Sequence, residues 1–119
     1  MSFDPDFAVR VESYFAARAL RFEAKPMMGG LVFMVNGKMC AGVETDRLML
    51  RIDPEKVPSA LAKKGCRPMD FTGRPMRGFV FVDRAVLGTN RALKEWLDLA
   101  VEFNPRAKAS KSATTRIKK

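Results

Sequence analysis

Few residues in this chain have types and spacing that could do chemistry. It contains no histidine, which excludes a Ser–His or Cys–His nucleophile pair and a His-ligated metal. Its two cysteines, Cys40 and Cys66, do not make a disulfide framework in a domain of this size. Cys40 falls in the middle of a strand pattern, where cysteine behaves as a small buried hydrophobe. Cys66 follows Gly65 at a predicted helix C-terminus, where the dipole's negative end disfavours a thiolate. Two acidic pairs, Asp4/Asp6 and Asp53/Glu55, each straddle a proline, and both are accounted for as first-turn helix residues. No catalytic set emerges, so the expectation is a non-enzymatic protein without a cofactor or metal.

Basic residues supply the remaining candidates. Lys63, Lys64, Arg67, Arg74 and Arg77 form a patch suited to phosphate or an acidic partner if the loop Thr72–Gly78 folds back beside the second helix. The alternative is that the lysines serve the helix dipole and the arginines are solvated. Six further cations, Arg106, Lys108, Lys111, Arg116, Lys118 and Lys119, follow Asn104 without an acidic residue among them. Of the formal charge of +9, residues 1–103 hold only +3, with 16 basic against 13 acidic side chains. Such a tail can neutralise phosphates without reading sequence, although it has no aromatic ring on which a base could stack. Residues 104–119 therefore read as a basic, disordered tail on a domain of residues 1–103. Gly29-Gly30 lacks the lysine and helix start that a phosphate loop requires, and reads as a kink at strand entry. Seven methionines, Met27, Met28, Met34, Met39, Met49, Met69 and Met76, gather in and around the strands, where they can fill a core or adapt to a partner.

The elements that must position these residues centre on Pro26 to Asp53. Three short apolar runs, Leu31–Val35, Met39–Val43 and Leu48–Ile52, are each too short for an ordinary helix. Asn36-Gly37 joins the first two in a pair that suits a type I′ turn, and the three together predict an antiparallel meander. Leu48, Leu50 and Ile52 alternate with Arg47, Met49 and Arg51, whereas the first strand is apolar on both faces. That two-sided strand must be central in the sheet or meet another subunit, so self-association is expected.

Upstream, Asp4-Pro5 starts a helix whose apolar stripe of Phe7, Val11, Phe15, Ala19 and Phe22 runs to Phe22, with Tyr14 beside it and Arg10, Glu12, Arg18 and Arg21 largely off it. Downstream come a helix near Pro58–Lys64, strands near Arg67–Phe71 and Phe79–Val82, and a helical turn after Asp83. A last helix starts at Thr89 or Asn90 and carries Leu93, Trp96, Leu97, Ala100 and Val101. The order is α-β-β-β-α-β-β-α, an α+β single domain with a mainly antiparallel five-stranded sheet and helices on one face. The chain length lets it bury ~65% of its unfolded surface. Its longest uninterrupted apolar run is far short of a membrane span. The N-terminus has no apolar signal-peptide core, so a cytoplasmic protein is expected.

The stretch KPMMGGLVFMVNGKMCAGVETDRLMLRID resembles the opening of the TfoX N-terminal domain family. Met27, Gly29, Gly30, Gly37, Met39, Ala41, Arg51 and Asp53 stand at that family's motif positions, with Asn36 beside Gly37 in the turn. GCRPMDFTGRPMRGFVFVD and LKEWLDLA are similar to its later strand and closing-helix segments, so the resemblance spans roughly Phe7 to Phe103. Met28 stands where the pattern has Phe, and Phe71 where it has Tyr. The resemblance implies a commonly dimeric α+β fold and a regulatory role of the kind TfoX (Sxy) plays in bacterial competence. The second, helical domain of full-length TfoX is not expected within 119 residues. The resemblance, the two-sided first strand and the absence of a catalytic set together favour a non-enzymatic regulatory or protein-interaction module, with a non-specific nucleic-acid-binding protein, gripping phosphates through the tail and basic loop, as the alternative.

Overall fold

The computed structural model describes residues 3–27, 30–71 and 74–107, except for the side chains of 27, 70, 71 and 74–77. Among these residues there are three helices and six strands in one wholly antiparallel sheet. The helices are α1 (Pro5–Ala17), α2 (Val57–Leu61) and α3 (Asn90–Phe103). The strands are β1 (Phe22–Met27), β2 (Gly30–Val35), β3 (Lys38–Val43), β4 (Arg47–Arg51), β5 (Cys66–Phe71) and β6 (Arg74–Asp83). They lie in the order β1-β2-β3-β4-β6-β5, so β6 inserts between β4 and the edge strand β5. The α+β class and the meander stand. The strand count does not.

The sixth strand comes from the end of the predicted first helix. Asp4 caps α1 as expected, its carboxylate accepting the amide of Asp6 at 2.9 Å with Pro5 at the first position. The helix then stops at Ala17, and Ala19 sits in the left-handed region at φ 57°. Phe22 thus reaches the core from β1, where its ring lies 5.6 Å from those of Phe15 and Phe33. Helical spacing had assigned Phe22 to the right core by the wrong route. In β1, Phe22 and Ala24 alternate with Glu23 and Lys25, a strand period that the helical stripe masks. Pro26 is an edge-strand residue opposite Leu31.

Downstream the differences are smaller. A 3₁₀ turn at Pro54–Lys56 precedes a short α2, because Pro58 in its first turn has no N–H to bond back to the preceding turn. The segment expected to loop from Thr72 to Gly78 is largely strand, since β6 begins at Arg74. Asp83 precedes a 3₁₀ turn but makes no side-chain cap; its carboxylate binds Arg67 instead.

All three helices feed one core on one face of the sheet. Phe7, Val11 and Phe15 of α1, Ala60 of α2, and Leu93, Trp96, Leu97 and Ala100 of α3 pack with Phe33, Val35, Leu48, Leu50, Val80 and Val82. Asn36 and Gly37 take φ values of 57° and 76°, as the type I′ turn requires. The folded body also runs past Phe103, where the tail was expected to begin. Asn104 is 3% exposed, donates to the Val35 carbonyl at 3.0 Å and accepts from Asn36 Nδ2 at 2.9 Å. Lys38 adds bonds to the carbonyls of Asn104 and Pro105. These contacts clamp the end of α3 onto the β2–β3 turn.

Candidate functional site

Two surfaces differ from an ordinary solvated exterior. The first is the sheet face away from the helices. Here Met49, Met69 and Phe81 are at most 5% exposed and form a second apolar cluster, bordered by Met39 and Phe79. Every member belongs to a strand. The alternation of β4 puts Leu48 and Leu50 in the main core and Met49 here. Gly42 keeps a valley open beside it, since a Cβ there would come within 3.2 Å of Met49 Cε. Two arginines roof the cluster: the guanidinium of Arg47 lies 3.7 Å from the Phe81 ring centre, and that of Arg51 lies 5.5 Å from Phe79. Arg47 is also paired with Glu44 at 2.8 Å. Desolvation draws the Arg51 pKa below its ordinary value.

Both edge strands of this sheet carry residues that disfavour a neighbouring strand. β1 carries Pro26 with Glu23 and Lys25, and β5 carries Pro68 with Arg67. Proline removes a ladder donor, and charges oppose flat pairing.

The second surface is a groove between α1 and α3, about 570 Å³ in volume. Its apolar wall comes from Val9, Ala17 and Leu93, and Val9 at 57% is the only large exposed hydrophobe among the described residues. Arg10, Arg18 and Lys94 also line it, and no carboxylate does. Arg10 donates to the Leu87 carbonyl at 2.8 Å and to Asn90 Oδ1 at 3.3 Å. At the other end Asp98 accepts from Tyr14 at 2.5 Å and Lys94 at 2.9 Å, with Arg18 at 3.4 Å. Burial and the Asp98 hydrogen bond push the Tyr14 hydroxyl pKa well up. Burial would raise Asp98, but the hydrogen bonds from Tyr14 and Lys94 outweigh it and hold the carboxyl below its usual range.

The basic patch expected from the sequence does not converge among the described residues. Lys63 lies over the Trp96 ring at 5.2 Å, on the helix side. Arg67 pairs with Asp83 at 2.9 Å, opposite Phe81 on the other side of the sheet. Lys64 is exposed, and the side chains of Arg74 and Arg77 lie outside the described residues. Of the tail cations, Arg106 binds Asp53 at 3.0 Å and lies 5.3 Å from the Phe103 ring centre. Lys108, Lys111, Arg116, Lys118 and Lys119 lie outside the described residues.

Residues singled out as a structural motif find local explanations. Gly29 lies outside the described residues. At Gly30 a Cβ would stand 2.4 Å from the Val43 carbonyl oxygen, so only glycine fits against β3. Asp53 accepts the Glu55 amide at 3.0 Å, and this bond, together with Arg106, lowers its pKa. Burial raises the thiol of Cys40 to about 12 and that of Cys66 to about 11, so both stay protonated at neutral pH. The groove went unrecognised in the sequence, although Arg10 and Arg18 falling off the α1 stripe, with Tyr14 beside it, were its visible trace. Its α3 wall has no local sequence signal. A family model described as the TfoX N-terminal domain matches residues 14–104. No curated protein and no solved structure matches the chain.

Proposed function

The chain belongs to the TfoX N-terminal domain family, and from that premise we propose that it is a non-enzymatic regulatory or protein-interaction module that self-associates through the helix-free face of its sheet. The observation that carries this reading is the second apolar cluster, Met49, Met69 and Phe81 with Met39 and Phe79, built from strands alone. Methionine-rich faces adapt to a partner's side chains, and proline at both edges leaves face-to-face pairing as the route for the sheet. The protonated thiols and the lack of histidine support the non-enzymatic part.

Sedimentation velocity over a wide range of protein concentrations tests the reading. A dimer is expected, and Met39→Glu, which puts a charge on the rim of the face, is expected to give a folded monomer with a similar Tm. A wild-type chain that remains monomeric at the highest concentration refutes it.

A second reading rests on the cations after Ala107: a non-specific grip on nucleic-acid phosphates. Removing residues 108–119 is then expected to weaken DNA binding and flatten its salt dependence. Unchanged binding, or none at low salt, removes that reading.

A further inference from the structure

The groove between α1 and α3 has no part in the pairing described above, since it opens on the far side of the helix layer from the free sheet face. We propose that it is a binding site for a small amphipathic carboxylate. The apolar body of such a ligand would lie on Val9, Ala17 and Leu93, and its charged group would meet Arg10.

Four observations converge on that chemistry. The groove's volume of about 570 Å³ falls within the roughly 300–1,000 Å³ typical of small-molecule sites. Its lining combines an apolar wall with three cations, Arg10, Arg18 and Lys94, of which the last two share the single carboxylate of Asp98, so a net positive charge remains. The hydrogen bonds of Arg10 go to a neutral carbonyl and a neutral amide, which leaves its charge to meet an anion. The exposure of Val9 is the fourth sign, because an isolated apolar side chain at the mouth of a cationic groove gains from being covered.

The dimensions choose between a small molecule and a docked helix. The lining runs from Val9 to Arg18 on α1, about 14 Å at 1.5 Å per residue, but only from Asn90 to Lys94 on α3, about 6 Å. One wall is barely a turn long. A peptide helix needs anchors over two turns or more, and this site offers them on one side only.

The test is an amide-shift NMR titration of the full chain with phenylbutyrate, using phenylbutyramide as the uncharged counterpart. Phenylbutyrate is expected to move the amides of Val9, Ser13, Ala17 and Leu93 saturably, more weakly as salt rises, and phenylbutyramide to bind less well. Val9→Glu places a like charge in the groove at an exposed helical position, so about tenfold weaker binding is expected without loss of Tm. Shifts of equal size with the neutral amide, unmoved amides up to millimolar phenylbutyrate, or Val9→Glu binding as well as wild type would each overturn the proposal. Tighter binding of an acidic amphipathic peptide at the same amides would overturn it in favour of a peptide groove.

Discussion

The two faces of the sheet are made by the same strands and finished in different ways. On the helix side the rings of Phe15, Phe22 and Phe33 stack at centroid distances of 5.5–5.6 Å among branched aliphatic residues. These shapes fix one packing. On the other side the same strands present Met39, Met49 and Met69 with two phenylalanines lying under arginines. A methionine chain has three rotatable bonds and fills gaps of more than one shape, and a guanidinium over a ring can be displaced. The face that holds the helices is specified tightly, whereas the helix-free face is built from side chains that adapt.

Truncating one phenylalanine on each face is the strongest way to break this contrast. Phe33→Ala is expected to cost about 3–5 kcal/mol in denaturant unfolding. Phe81→Ala is expected to cost less, about 2–3 kcal/mol, because its cover is an arginine side chain that can follow the ring's removal and close part of the gap. Equal costs would mean that the second cluster is a complete core, and the distinction would fail. Next in size is Asn104→Ala, which leaves the Val35 carbonyl and the Asn36 amide without their partner. A loss of about 1–3 kcal/mol is expected from the helix side. A finer comparison uses neighbours on β4: Leu50→Met is expected to cost up to about 1.5 kcal/mol, and Met49→Leu close to nothing. Thermal unfolding of the two variants side by side measures it.

The smallest effects are those of pH, and they too fall on the helix side. Asp4, Asp53 and Asp98 have folded pKa values below their unfolded ones, for Asp4 chiefly through the Arg84 hydrogen bond. Their contribution is complete above the unfolded carboxyl value of about 4 and fades as pH falls through the folded values. Tyr14 is shifted up, so its contribution is complete below the unfolded value of about 10 and fades as pH rises beyond it. The thiols of Cys40 and Cys66 are shifted up as well and withdraw stability above about pH 9, so the Tm is expected to be flat between about pH 4 and 9 and to fall outside these limits, with Asp98→Asn reducing both slopes.

How much of this was legible in the sequence depends on whether local chemistry decides the outcome. Asn36-Gly37, Asp4-Pro5 and Asp53-Pro54 announce their turn and helix starts because the required φ values and capping oxygens belong to those residues alone. The alternation of β4 likewise sorted its residues between faces. β1 was hidden because Phe22 satisfies helical and strand periods at once, and the left-handed Ala19 that separates the two elements has no marker in an alanine. The groove was hidden for a different reason. It exists only where α1 and α3 lie side by side, with more than 70 residues of chain between their lining residues, and no spacing rule reaches that far.

Pro26 and Pro68 have one more consequence. With a ladder donor missing from each margin, recruiting copy after copy along the hydrogen-bonding direction is disfavoured, and with it the route to open-ended filaments. Face-to-face contact between identical surfaces consumes both surfaces and stops at a pair.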